Sequence, residues 1–441
     1  MANIYPFRGV RYNSDKVGKI DDVVTPPYDV ISPDEQLRYL GRHPDNIIRL
    51  ILPRESAAAA AGTSVADTKY ENAAACLRDW LESGVLVRDC EPSLYVCEQE
   101  FEIDGVWKKR LGFTCLVRIE DYDNKTVLPH ENVLAKPLDD RLNLLRATRS
   151  NFDSVFGLYS GTKAEEVIRP FLLAEPDASA VDAAGVICNL WRICNPDAIS
   201  VIVNALADQS ILIADGHHRY AAALAYRNEM REKGKRADSP SCVPEEAPSE
   251  FVMMTLVSLE DAGLVILPTH RLVRNLESFD PSGFRARLSE YFDLVEVPAS
   301  ELEAALAAES SSHHVFGVHI GKGGSYVIRL KADKRPEEII ETPGSDALKH
   351  LDVSVLHSII LDRMLGIGVQ SLSAQSNLSY MRDASEALML VDRGDYQIAF
   401  LMNPTRVDET KSVAAAGDKM PQKSTFFYPK LLTGLVLNVM E

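Results

Sequence analysis

The chain has 441 residues, 46% hydrophobic and 25% charged, and a formal net charge of −17 from 47 Lys and Arg against 64 Asp and Glu. That length supports two or three domains with cores of their own, and the ordinary balance of residue classes excludes disorder over most of it. The acidity, with no block of five or six basic residues, argues against nucleic acid or an anionic membrane surface as the main partner.

Seven cysteines (Cys76, Cys90, Cys97, Cys115, Cys188, Cys194 and Cys242) are scattered and never form Cys-x-x-Cys. That pattern suits reduced thiols better than a disulfide frame or a zinc knuckle. The first eight residues lack the basic-then-apolar build of a signal peptide. No apolar run reaches the roughly 18 residues of a membrane span. The expected location is the cytoplasm.

In chain order, Glu55 to Lys69 is polar and reads as a loop into a helix over 70–83, where Cys76, Leu77, Trp80 and Leu81 share a face. Two β-rich runs, 94–103 and 106–117, flank Asp104-Gly105 and predict a hairpin. The pattern turns helical from 139 to 151, with Leu142 and Leu145 at helical steps, and 186–193 reads as a strand. Next come a short apolar strand, 211–214, and an Ala-, Leu- and Glu-rich helix, 220–233. The polar, Pro-rich stretch 231–250 is an expected linker. Beyond it, strands are expected at 251–257 and 264–267, a hairpin at 315–320 and 326–330, and helices near 300–308, 353–364 and 405–415. Gly321-Lys-Gly-Gly324 reads as the turn of that hairpin, His313-His314 as exposed and inert, and 431–439 as a terminal strand.

These elements predict a mixed α/β (α+β) protein. The expected division is an N-terminal segment, 1–93, packing on the core; a central domain, 94–230; the linker, 231–250; and a C-terminal α+β domain, 251–441.

The chemistry concentrates where the strand 211–214 meets the helix that follows. Only Asp215-Gly216-His217-His218-Arg219 separates them. A Gly turn from a strand into a helix aims backbone N–H groups and a helix N-terminus at one spot, which makes an anion site. Arg219 adds a forked cation, and the histidines add donors or a base. The same junction also serves as plain scaffold in many folds. A metal site on the two adjacent histidines is the poorer reading, since they rarely face one ion.

Other candidates lie elsewhere. His130-Glu131 follows a strand end, where catalytic carboxylates are often found. Tyr28 and Asp29 follow paired prolines in a rigid loop. His270-Arg271 follows a strand, and Lys423 and Ser424 sit in a polar, aromatic-rich stretch near the C-terminus. Glu131 is a candidate catalytic residue and the others are candidate ligand contacts, and each also has a reading as an ordinary structural residue.

Five blocks carry a family resemblance: Tyr5-Pro-Phe-Arg-Gly9, Val24-Thr-Pro-Pro-Tyr-Asp-Val-Ile-Ser32, Ala214-Asp-Gly-His-His-Arg-Tyr220, Leu267-Pro-Thr-His-Arg271 and Met420-Pro-Gln-Lys-Ser-Thr-Phe-Phe-Tyr-Pro-Lys430. Through them the chain resembles the prokaryotic family catalogued as domain of unknown function 1015. The region 94–230 is also similar to the ParB/sulfiredoxin fold and, within it, to the kinases of free L-serine, which carry an Asp-Gly-His-x-Arg turn and an upstream Glu often preceded by His. This resemblance implies a nucleotide-dependent phosphotransferase acting on a small hydroxy compound, with Mg2+ and ATP or ADP. It makes Glu131 the general base. Asp215 would orient the hydroxyl or the magnesium ion, and His217 and Arg219 would hold phosphates alongside Gly216 and His218. His130, Tyr28, Asp29, His270, Arg271, Lys423 and Ser424 are the expected substrate side. The separation of Glu131 from Asp215 implies an insertion at 137–195. The alternative reading is a non-catalytic, nucleotide-binding regulatory or partitioning protein of ParB type.

Overall fold

The computed structural model describes residues 2–55, 65–236, 247–311, 314–368 and 377–440. The fold is mixed α/β and divides into two compact units. The first holds 1–129, 133–265 and 429–441, and the second holds 130–132 and 266–428.

A mixed sheet of nine strands organises the first unit. Its long hairpin is the one Asp104-Gly105 announces: Leu94–Ile103 pairs antiparallel with Val106–Arg118, and Asp104 and Gly105 both take positive φ to make the turn. From that hairpin the sheet extends through Phe251–Ser258 and Val155–Tyr159 to Ile211–Asp215 and Val127–Leu128. The interior strands are apolar along their whole length. Phe251–Ser258 and Val155–Tyr159 are buried at every position, as strands covered on both faces must be. The helix His217–Arg236 packs on this sheet beside Ala135–Thr148, through Tyr220, Ala222, Ala223, Leu142 and Leu145.

Phe251–Ser258 lies inside this sheet, so the domain boundary expected at 251 does not coincide with the division between units. The helix before it runs to Arg236, and 237–246 lie outside the described residues. Of the expected linker, Pro248–Glu250 is a 3-10 turn whose buried Glu250 pairs with Arg231. Composition flags a polar stretch as loose, but an ion pair of opposite charges can anchor its ends. The helix expected over 70–83 starts earlier, at Val65, and ends at Glu82; Tyr70, Ala73, Leu77 and Trp80 form its buried face.

The last stretch of chain returns to the first unit. The backbone N–H of Val10 donates to Leu437 at 2.9 Å, Thr25 and Thr433 exchange hydrogen bonds, and Asn438–Val439 pairs with Ser150–Asn151. The strand expected over 431–439 is thus only two residues long. Gly434 at φ +107° breaks the apolar run before it can pair continuously.

The second unit is built on six antiparallel strands in the order Phe292–Glu296, Ser325–Leu330, Val315–His319, Ile398–Met402, His270–Val273, Leu378–Met381. Alternation sorts its two faces. Phe316, Val318, Ile328 and Phe400 join one core, while Val315, Val327, Ala399 and Leu401 join the other. Gly321–Gly323 turns between two of these strands, as expected. His314 does not match its expectation of an exposed, inert residue. It is buried, and Asp352 accepts from its backbone N–H at 2.7 Å and lies 3.1 Å from its ring Nδ1. His313 lies outside the described residues.

Among the described residues six cysteines are free and none forms a disulfide. No described helix is long and apolar enough to cross a membrane.

Candidate functional site

Ile211–Asp215 buries its first four side chains and ends at the half-buried Asp215, where its register against Val155–Tyr159 shifts. Such a bulge re-aims the side chain at the strand end. Gly216 then takes φ +92°, a backbone conformation that side-chain-bearing residues avoid. A Cβ there would also lie 2.8 Å from the guanidinium carbon of Arg219. Glycine is therefore required twice over. The helix His217–Arg236 begins at once, with Tyr220 N–H donating to Gly216 O at 3.0 Å.

One helical turn brings Arg219 back over the strand end. Its Nη2 donates to Asp215 Oδ2 at 2.7 Å, and its Nη1 donates to the carbonyl of Ser154. The second carboxylate oxygen, Oδ1, accepts from Lys430 Nζ at 2.6 Å. Burial alone would raise the Asp215 carboxyl, but Lys430 and Arg219 outweigh it and hold the group well below the usual carboxylate range. Asp215 is thus an anion fixed by two cations, Arg219 one helical turn on and Lys430 215 positions away in sequence.

A wider charged cluster surrounds this core. Asp153 accepts from Thr433 Oγ1, and burial raises its carboxyl while Arg219 opposes the rise. The Arg141 guanidinium lies 3.9 Å from the centre of the Tyr28 ring, and burial pushes the Tyr28 hydroxyl above its ordinary value despite Arg141. Asp29 is exposed and acts on Arg219 only through its field. Arg141, Asp153 and Arg219 border a cavity of about 40 Å3, roughly the volume of one water.

The two histidines differ. His217 is buried and close enough to Asp215 to favour its anion. His218 accepts at Nε2 from the backbone N–H of Leu134, 3.0 Å away, and so caps the start of Ala135–Thr148. Accepting there puts its proton on Nδ1.

These residues do not fit a magnesium ion held by protein. Both oxygens of Asp215 are taken by cations, and among the described residues no cluster of three His, Cys, Asp or Glu side chains could bind a metal.

The remaining candidates belong to the second unit. His130 is fully buried, its Nε2 is 2.9 Å from Thr425 Oγ1, and its carbonyl accepts from Met420 N–H. Glu131 is half-buried, bridges Met420 through its backbone, and acts on the Tyr380 hydroxyl. His270 is buried, accepts from Met402 N–H, and is pushed down to about 4 by burial and by Arg271, so it is neutral at pH 7. Arg271 is also buried and donates to the carbonyls of Thr269 and Lys423. Lys423 is exposed, with φ +57°. Ser424 is buried and donates to Pro421 O.

Three charged partners at the turn were not among the candidates from sequence: Lys430, Asp153 and Arg141. Lys430 stands at the end of the block Met420–Lys430, and only the return of the tail to the first unit reveals its role. Asp153 and Arg141 carry no local signal.

A family model described as "Protein of unknown function (DUF1015)" matches residues 4–354. No curated protein matches. Among solved structures, a free serine kinase in complex with AMP is 13% identical, with a TM-score of 0.37 over 74% of this chain and 91% of that one. A conserved hypothetical protein from Pyrococcus furiosus is 13% identical, with a TM-score of 0.35 over 74% and 95%. SbnI with a C-terminal truncation, from Staphylococcus aureus, is 10% identical, with a TM-score of 0.35 over 74% and 87%.

Proposed function

The chain belongs to the DUF1015 family, and we propose that it is a nucleotide-dependent phosphotransferase acting on a small hydroxy compound, a reaction of the free-serine-kinase kind, in the cytoplasm. The observation that carries this reading is the Gly216 turn, which delivers an ionised, doubly paired Asp215 to the start of a 20-residue helix. The first turn of a helix presents backbone N–H groups and the positive end of the dipole, both suited to phosphate oxygens. Arg219 and Lys430 supply a positive field at the same point, and Asp215 holds both in place. Phosphoryl transfer needs chiefly positioning and charge stabilisation, which such groups supply.

In this proposal Glu131, assigned by the resemblance of His130-Glu131, is the general base. The acceptor hydroxyl gives its proton to the Glu131 carboxylate while its oxygen attacks the terminal phosphorus of the nucleotide. The bond from that phosphorus to the nucleotide's bridging oxygen breaks, and the shortened nucleotide leaves with the electron pair. Any magnesium would arrive with the phosphates, as this ion commonly binds through substrate oxygens and water.

A second reading keeps the phosphate contact and drops the chemistry, giving a nucleotide-binding regulatory protein. It is favoured by the engagement of both Asp215 oxygens, which leaves that carboxylate as a clamp. The two readings separate on one assay. Purified protein is given ATP or ADP with magnesium, with and without free serine and other small hydroxy compounds. The enzyme reading expects nucleotide consumption that depends on an added acceptor. Nucleotide that binds but is never consumed overturns it in favour of the second reading.

A further inference from the structure

The second unit contains a cavity of about 360 Å3. Part of its wall is Leu356–Met364, a run in π-helical form, and such departures from α-helix often mark functional positions. Ile340, Leu348, Ile367 and Met420 make its lining substantially apolar. Two polar side chains of that lining are anomalous. Ser354 and His357 are only 6% and 8% exposed, and among the described residues neither Ser354 Oγ nor His357 Nε2 has a hydrogen-bond partner. Buried polar atoms are nearly always paired, so two unpaired ones on one cavity call for an explanation.

The electrostatics point the same way. Arg271 is buried, its guanidinium lies 5.5 Å from the centre of the Tyr380 ring, and Tyr380 lines the cavity. No carboxylate lies within ion-pair distance of Arg271 among the described residues; it donates only to backbone carbonyls and the sulfur of Met402. The Arg271 charge also acts on His357, which burial already keeps neutral. Lys349 and Lys419 line the cavity as well, against a single lining carboxylate, Asp362.

We propose that this cavity binds a small carboxylic acid with an apolar body, its carboxylate accepting hydrogen bonds from Ser354 Oγ and His357 Nε2. Two neutral donors on the lining and a buried cation near enough to act on one of them, with no carboxylate partner among the described residues, suit a monoanion. Asp362 opposes a second negative charge, which disfavours a phosphate ester. The apolar lining takes the body of the ligand, as in most small-molecule sites. This site is independent of the phosphate reading of the first unit.

The full chain, carrying histidine labelled at the ring carbon between its nitrogens, is titrated by NMR with octanoate, octanol and octyl phosphate. His357→Gln identifies the His357 signal. Octanoate is expected to shift that signal saturably, with octanol and octyl phosphate weaker by about tenfold or more, as expected for loss of a charge-assisted hydrogen bond. Ser354→Ala is expected to weaken octanoate by about tenfold while melting no lower than wild type, because it removes an unpaired buried hydroxyl. The proposal is overturned if octanoate leaves His357 unmoved, if octanol or octyl phosphate binds as tightly, or if Ser354→Ala binds octanoate as wild type does.

Discussion

Replacing Lys430 by Met removes one of the two cations on Asp215 and keeps a side chain of similar length. Both partners are mostly buried, at 14% and 16% side-chain exposure, and the bond is 2.6 Å. A charge-assisted hydrogen bond contributes about 1.5–3 kcal/mol, and stranding a buried charge completely costs about 3–5 kcal/mol. Arg219 still pairs with Asp215 in the variant, so the charge is not stranded and the loss stays within the first range, at about 2–3 kcal/mol. The sign of its pH dependence follows from the depressed Asp215 carboxyl. Its contribution is present above the unfolded value of about 3.9 and is lost as pH falls through the lower folded value. The gap between wild type and variant should be full at pH 7 and narrow below about pH 4, as the variant's carboxyl takes up its proton first. Urea unfolding followed by tryptophan fluorescence suits the test, because the three tryptophans, Trp80, Trp107 and Trp191, all belong to the first unit. A gap below about 0.5 kcal/mol at pH 7, the size of an ordinary surface change, refutes the argument. So does a gap that does not narrow in acid.

Gly216→Ala should destabilise the first unit by about 1–2 kcal/mol for its left-handed backbone alone, and more where its Cβ displaces Arg219; a melting curve like the wild type's would contradict the geometry. Glu131→Gln should slow acceptor-dependent turnover by about two to four orders of magnitude with nucleotide affinity little changed, and near-normal turnover would move the base elsewhere. His270 and His357 are held down to about 4 and about 3. In a histidine NMR titration neither ring should gain its proton until well below pH 6; a midpoint near the ordinary value of about 6.5 would contradict their burial as neutral rings.

Much of the fold was legible because its signals are local. The Asp104-Gly105 hairpin, the strand 211–214 and the helix after it follow from turn chemistry, apolar runs and helix propensity within short windows. The boundary at 251 was not legible. Phe251–Ser258 is as apolar as any buried strand, and nothing in its own residues says which sheet it joins. The tail fared likewise, since pairing of Thr25 with Thr433 depends on residues 408 positions apart in sequence. At the site, Asp215, Gly216 and Arg219 stood out because a strand, a glycine and a helix meet there. Lys430 needed the returning tail, and Ser354 and His357 needed the cavity, since their sequence neighbours are ordinary core residues.

The most direct test of the central claim is to observe the turn itself. Protein labelled with 15N-glycine is titrated with ADP, inorganic phosphate and adenosine, and the Gly216 amide is identified by its absence in Gly216→Ala. The account predicts that ADP and phosphate move the Gly216 signal saturably while adenosine, lacking phosphate, leaves it in place. A Gly216 signal that stays fixed at saturating ADP, or that adenosine moves as far as ADP does, would contradict phosphate binding at this turn.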